Sequence, residues 1–208
     1  MKKWIYLMAV MSLLFVIAAC GEDDEQTDAP DTGDDQTSTE QEANSDETDE
    51  SEEDGESEMV TVSMMDGEGE NIGEAELIEQ DSGVLIHLEA SKLPEGERGF
   101  HIHESGLCEG PDFKSAGDHF NPTNVSHGTE SEDGPHAGDL PNLEVEEDGS
   151  VEQEVTAEEV TLTSGEDHSL LDEDGTALVI HGEADDNESQ PAGDAGDRIA
   201  CGEITEEN

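Results

Sequence analysis

Hydrophobic and polar residues alternate along most of the chain from Met59 onward. The first three segments with this pattern are MVTVSMMD, IGEAELIEQ and GVLIHLEA, and the short turn sequences DGEGEN and DSG separate them. A period of two predicts β-strands that turn one face to a core and the other to solvent. Because the connections are so short, neighbouring strands must run antiparallel.

Five more strands are predicted further along the chain. LPEGERGFHIHE forms the fourth, LEVEEDGSVEQEVTA contains two strands joined by an Asp-Gly turn, and ALVIHGE and RIACGEI are the last two. No segment has a convincing helical period. We therefore predict an all-β domain over residues 59–208, an eight-stranded antiparallel Greek-key β-barrel or sandwich with two long loops.

Histidines are concentrated in this domain in a pattern typical of metal ligands. Four of the chain's eight histidines fall between Gly99 and Gly128, and others lie in the HAGD and VIHGE segments. The H-x-H spacing in GFHIHE points two imidazoles to the same side of a strand. Imidazole and carboxylate groups suit zinc and copper, and so many of them indicate more than one ion. The candidate ligands are His101, His103, His119, His127, His136, Asp139 and His181.

The first 20 residues predict export. Lys2 and Lys3 precede a short apolar run and small residues, which is the pattern of a signal peptide and too short for a spanning helix. Its end, IAAC, resembles a bacterial lipoprotein signal, so Cys20 is predicted to be acylated and to anchor the protein on the extracellular face of the cell membrane. An ordinary signal with an incidental cysteine is the alternative.

Residues 21–58 are predicted to be a disordered acidic linker. From residue 22 to residue 58 the sequence has 19 acidic side chains and no basic one, with almost no apolar content. Such a segment buries too little surface to offset the entropy of ordering it. We interpret it as a solvated spacer between the membrane and the domain, with cation binding as the alternative.

The domain itself is strongly acidic. The chain has a formal net charge of -53, and residues 59–208 hold the other 40 acidic residues against four basic ones. This charge argues against nucleic acid or an anionic membrane surface as an electrostatic partner. We interpret it as adaptation to high salt; the alternative is an ordinary acidic extracellular protein.

Four motifs in the right order resemble the copper,zinc superoxide dismutase family. They are GFHIHE, SAGDHFNP, the H-x8-H-x2-D run that ends at Asp139, and GDAGDRIACGEI. The resemblance covers about residues 59–205. The five-residue step from His103 to Cys108 is similar to the bacterial secreted members.

The resemblance implies one copper and one zinc ion per subunit. The implied copper ligands are His101, His103, His119 and His181. The implied zinc ligands are His119, His127, His136 and Asp139, so His119 would bridge the two ions. Asp185 would connect a copper histidine to a zinc histidine.

The resemblance further implies a disulfide between Cys108 and Cys201, the two thiols that remain if Cys20 is acylated. The implied reaction converts superoxide to oxygen and hydrogen peroxide as copper is reduced and reoxidised, with His119 carrying a proton and Arg198 attracting the anion. Such an enzyme would protect the cell surface from oxidative damage.

A non-catalytic copper- or zinc-binding surface lipoprotein of the same fold is the main alternative function. The sequence leaves the oligomeric state open.

Overall fold

The structure is a computed structural model that describes residues 58–206. The signal peptide, Cys20 and all of the linker except Glu58 lie outside the described residues, and the statements about them stay predictions.

Among the described residues, no helix is long and apolar enough to cross a membrane.

The described chain forms nine strands and one short 3-10 turn at Lys114–Ala116. The strands are β1 (Met59–Asp66), β2 (Asn71–Gln80), β3 (Gly83–Ala90), β4 (Gly96–Arg98), β5 (Phe100–His103), β6 (Leu143–Val145), β7 (Val151–Ala157), β8 (Thr176–His181) and β9 (Arg198–Ile204). The all-β prediction is confirmed.

The strand count differs from the prediction because the fourth predicted strand is two strands. It divides at Gly99, whose N–H donates to Glu183 O at 2.8 Å and whose carbonyl accepts from His181 N at 2.8 Å. These bonds turn the chain from one sheet into the other. As a result β4 pairs with β6, whereas β5 pairs with β8.

Seven antiparallel strands form the main sheet in the order β5-β8-β9-β1-β2-β3-β7, and β4 and β6 form a separate two-stranded sheet. The β1-β2-β3 meander follows the predicted turns. Strand β3 then pairs with β7, whereas β9 returns beside β1 and β8 lies next to β9. These pairings between strands distant in sequence are those of a Greek key.

The core follows the alternation of the sequence in the β1-β2-β3 meander but not in β5 or β8. In β1 the buried residues are Val60, Val62 and Met64, with exposed residues between them. All six residues of β8 are buried. This strand has the main core on one face, while Val179 on its other face packs with Phe113 and the half-cystine Cys201.

A long loop, residues 104–142, folds back along β5. Ile102 N donates to Gly138 O at 2.9 Å, and Phe120 N donates to Ile102 O at 2.8 Å. The loop lies so close to β5 that a Cβ on residue 138 would be 2.3 Å from Ile102 O, so only glycine fits at this position. The backbone between His101 and His103 is thus fixed from both sides.

The disulfide between Cys108 and Cys201 ties the long loop to β9 across a sequence separation of 93 residues. The implied pairing is confirmed. Loop-closure entropy for a separation of this size stabilises a fold by about 4 to 5 kcal/mol. The cross-link therefore holds the long loop against the sheet that carries the histidines.

Candidate metal centre

Four buried histidines from three parts of the fold form a first cluster. His101 and His103 lie on β5, His181 ends β8, and His119 comes from the long loop. One ligand atom of each lies within 4.8 Å of the others. The antiparallel pairing of β5 with β8 brings three of these imidazoles together, and the loop adds the fourth.

The ring nitrogens of His103 and His181 face each other in this cluster. Their Nε2 atoms are 3.4 Å apart. His103 Nδ1 is 3.0 Å from Gly117 O and therefore donates to it, which leaves Nε2 as the atom with the lone pair. His181 Nδ1 lies 3.4 Å from Gly196 O in the same way. Two lone pairs at this distance repel each other unless a cation lies between them.

Two other ring nitrogens of the cluster are buried without any hydrogen-bond partner. They are Nδ1 of His101 and Nε2 of His119. A buried polar atom left unpaired costs about 1 to 3 kcal/mol, so native proteins rarely leave one. A metal ion at the centre of the cluster would satisfy both, and the donor set therefore fits copper.

A second cluster is organised around Asp139. Its Oδ1 lies 2.8 Å from His119 Nδ1 and 3.2 Å from His136 Nδ1. Its Oδ2 lies 3.0 Å from His127 Nδ1, within ion-pair distance, but this nitrogen has no hydrogen bond of acceptable geometry. Ligands that point to a common centre have this arrangement. Three imidazoles and one carboxylate are a normal tetrahedral zinc set.

His119 belongs to both clusters. Its Nδ1 lies beside Asp139, so the unpartnered Nε2 on the opposite edge of the ring serves the first cluster. The ring centroid is 4.0 Å from that of His101 and 5.6 Å from that of His136. One imidazole therefore separates the two centres.

Asp185 connects the clusters a second time. Its Oδ2 lies 2.6 Å from His101 Nε2, and its Oδ1 lies 3.1 Å from His127 Nε2. Burial raises the pKa of this carboxyl, but the hydrogen bonds from the two histidines outweigh burial and hold it well below its usual range. Gly193 packs against it with φ +68, where a Cβ would lie 1.9 Å from Asp185 Oδ1.

Two amide side chains support the clusters and were missed by sequence reasoning. Asn142 Oδ1 accepts from Asp185 N at 2.9 Å, and Asn142 Nδ2 donates to Asp185 O at 2.9 Å. Gln190 makes the same pair of bonds with the peptide groups of His127. Neither residue belongs to a metal motif, because each acts on backbone that is distant in sequence.

Arg198 lies beside the first cluster. Its Nη1 donates to Phe113 O at 2.7 Å and its Nη2 to Gly117 O at 2.6 Å, the same carbonyl that His103 uses. The guanidinium is half-buried at the edge of a surface depression that Lys114 also lines. Burial lowers the pKa of Arg198 from its usual value, while Asp118 and Asp112 oppose this change. An arginine stays charged in these conditions.

Burial sets the protonation of three of the four histidines in the first cluster. It lowers the pKa of His101 to about 4, of His103 to about 2 and of His181 to about 3. These imidazoles are neutral at pH 7, as metal ligands must be. For His127 burial also lowers the pKa, but Asp139 and Asp185 outweigh it and raise the pKa to about 9.

The remaining two histidines lie outside the clusters. His87 is on β3, half-buried between Glu89 and Glu154, and His168 is in a loop, where Nδ1 lies 2.9 Å from Glu159 O.

The family model described as copper/zinc superoxide dismutase matches residues 71–204. The chain belongs to the copper/zinc superoxide dismutase family. The chain is 57% identical over 134 residues to superoxide dismutase [Cu-Zn] 1 of Aquifex aeolicus, an alignment that covers 64% of this chain and 79% of that protein. It is also 47% identical over 139 residues to the superoxide dismutase-like protein YojM of Bacillus subtilis, covering 66% of this chain and 71% of that protein.

Solved structures of related proteins superpose on this chain. A SOD-like protein from Bacillus subtilis superposes with a TM-score of 0.68 at 44% identity, covering 69% of this chain and 97% of that chain. The Cu/Zn superoxide dismutase from Brucella abortus superposes with a TM-score of 0.58 at 29% identity, covering 71% and 99%. The predicted family and its Greek-key barrel are confirmed. Copper and zinc are the metals of the family, and both clusters have donor sets that suit them.

The lowered pKa values predict acid sensitivity of the metal-free protein. His103 binds a proton near pH 6.5 when unfolded but only near pH 2 when folded, so acid favours the unfolded state. This residue should remove up to about 1.4 kcal/mol of stability for each pH unit below 6.5. His127 adds almost no slope once the pH is well below 6.5, because both states then hold its proton.

Denaturant unfolding of the metal-free chain in 1 M salt, from pH 6.5 to pH 4.5, measures this effect against His103→Asn. The wild-type stability should fall more steeply than that of the variant. Parallel profiles for the two proteins would contradict the account.

Proposed function

We propose that this chain disproportionates superoxide at the outer surface of the cell, converting it to oxygen and hydrogen peroxide. The observation that carries the proposal is the position of His119, one imidazole shared by a four-histidine cluster and a three-histidine, one-aspartate cluster. A single metal site would not need an imidazole that belongs to two ligand clusters. A ligand shared by two clusters is expected where two ions lie next to each other, and copper and zinc are the two metals of the family.

In this proposal the first cluster holds copper, and the second holds zinc. Copper, when bound, supplies one-electron chemistry, since it can alternate between two oxidation states as superoxide is oxidised and then reduced. The four imidazoles accept copper in both states. The clusters contain the seven implied ligands, which favours an enzyme over a metal store of the same fold.

Arg198 binds and orients the anion. Its guanidinium is fixed by the carbonyls of Phe113 and Gly117, so it presents positive charge at the edge of the first cluster. Only four basic residues lie in residues 59–208, and this one is held beside the histidines. A guanidinium whose position is fixed by other bonds loses little freedom when an anion arrives.

His119 Nε2 would carry a proton only when that atom is not bound to copper. Asp139 fixes the other edge of the ring at 2.8 Å, so the ring keeps its orientation while Nε2 gains or loses a proton. This nitrogen is buried next to His101. It can therefore deliver one of the two protons that peroxide formation consumes.

Replacement of one first-cluster histidine tests the activity. His181→Ala should lose copper and nearly all dismutation while it keeps zinc, because His181 lies outside the second cluster. Metal analysis and a superoxide dismutation assay on the metal-loaded chain measure both properties, with His87→Ala as the control outside the clusters. A wild-type protein that binds both metals and leaves superoxide untouched would favour a metal store instead.

The acidity of the domain is proposed to suit high ionic strength. Asp112, Asp118 and Asp197 lie near Arg198 or line the same depression, and they repel an anionic substrate. The Debye length falls from about 30 Å at 0.01 M salt to about 3 Å at 1 M, so salt removes most of this repulsion.

The rate of dismutation per copper should therefore hold or rise between 0.01 M and 1 M salt. Asp197→Asn should raise the rate at low salt and have little effect at 1 M, since screening already removes the repulsion there. A steep fall in wild-type activity with added salt would contradict this interpretation.

The proposed location is the extracellular face of the membrane, with a lipid on Cys20. The support is the sequence ending IAAC after a short apolar run. Cells given labelled palmitate should incorporate it into the wild-type protein, which should fractionate with membranes. The Cys20→Ser variant should incorporate none, and a wild-type protein equally unlabelled would rule out the anchor.

A further inference from the structure

The peptide groups of His127 have an unusual partner. Its N–H donates to Gln190 Oε1 at 3.0 Å, and its carbonyl accepts from Gln190 Nε2 at 2.9 Å. His127 is fully buried and lies outside the strands, so no sheet ladder satisfies its N–H. A buried N–H needs a partner, and one side chain 63 residues away supplies it.

Gln190 belongs to the closing loop, residues 182–197, which connects β8 to β9. The turn that presents it is internally bonded. The Asp186 carboxylate accepts from Ser189 N at 2.8 Å and from Ser189 Oγ at 2.6 Å, and Gly193 N donates to Ser189 O at 2.7 Å. Gln190 is therefore held by a fixed turn.

The same loop also holds the ring of His127. Asp185 Oδ1 lies 3.1 Å from His127 Nε2, which leaves Nδ1 to point into the second cluster. Gln190 fixes the backbone end of His127 and Asp185 fixes the ring end. With both ends held, the direction of Nδ1 is determined.

We propose that Gln190 is a positioning residue for zinc. Its carboxamide clamps the peptide groups of His127 and thereby makes the geometry of the second cluster depend on the closing loop. The inference rests on the proposed function in one respect, that the second cluster holds zinc. Residues that orient a metal ligand without touching the metal commonly change metal affinity 10- to 100-fold when replaced.

The test uses the full chain, loaded with copper and zinc, and three variants. Gln190→Met keeps the length of the side chain and removes both amide atoms. Gln190→Glu keeps an oxygen for the His127 N–H but places a second oxygen against the His127 carbonyl. Glu188→Gln is the matched control, an exposed residue of the same turn.

The first measurement is the rate at which zinc passes to a colorimetric chelator. Gln190→Met should release zinc about tenfold faster than the wild type. Gln190→Glu should release zinc at least as fast, because the hydrogen bond to the His127 carbonyl is replaced by repulsion between two oxygens. Glu188→Gln should match the wild type, and copper should stay bound in all four proteins because the first cluster does not depend on His127 for a ligand.

The second measurement separates positioning from general stability. Co²⁺ placed in the second cluster has visible absorption bands that depend on ligand geometry, and these should shift in Gln190→Met but not in Glu188→Gln. Equal zinc release and equal cobalt spectra in the wild type and Gln190→Met would overturn the proposal. Failure of the wild type to bind zinc or to dismutate superoxide would instead overturn the proposed function, so the two failures are distinguishable.

Discussion

Buried imidazole nitrogens that lack protein partners are the constraint on which the rest of the structure depends. His101 Nδ1, His119 Nε2 and His127 Nδ1 are all shielded from solvent with no hydrogen bond of acceptable geometry. Burial also keeps His103 and His181 neutral at pH 7. Such an arrangement is unfavourable by itself and becomes favourable when two cations occupy the two centres. The fold therefore has to hold these side chains in position before the metals can compensate for their burial.

Three features of the fold hold the histidine side chains in position. The long loop is bonded to the N–H and the carbonyl of Ile102, which fixes the strand that carries His101 and His103. The disulfide between Cys108 and Cys201 keeps the same loop on the sheet. The closing loop then contributes Asp185 to the rings of both clusters. Each feature acts on backbone or on the far side of a ring, which leaves the metal-facing nitrogens free.

The sequence predicted most of the strands and the members of both clusters. The alternation of hydrophobic and polar residues predicted the β1-β2-β3 meander, because each of those strands has one face in the core and one in solvent. It could not show that the fourth predicted strand divides, because the turn at Gly99 depends on hydrogen bonds to residues 181 and 183. The motifs identified the candidate ligands, since ligand chemistry limits residue type, and the resemblance to the family divided these ligands between the two clusters. The sequence gave no sign of Asn142 or Gln190. Many polar side chains can hydrogen-bond a backbone group, so this role leaves no pattern in the sequence.

The central claim is that His119 is shared by two different metals, and diffraction measures this directly. Crystals of the copper- and zinc-loaded chain, recorded on both sides of the copper and zinc absorption edges, locate each ion separately. The account predicts copper bonded to His119 Nε2 and zinc bonded to His119 Nδ1, the latter at about 2.0 to 2.1 Å. A His119 ring turned away from either ion, or one ion where two are expected, would contradict it.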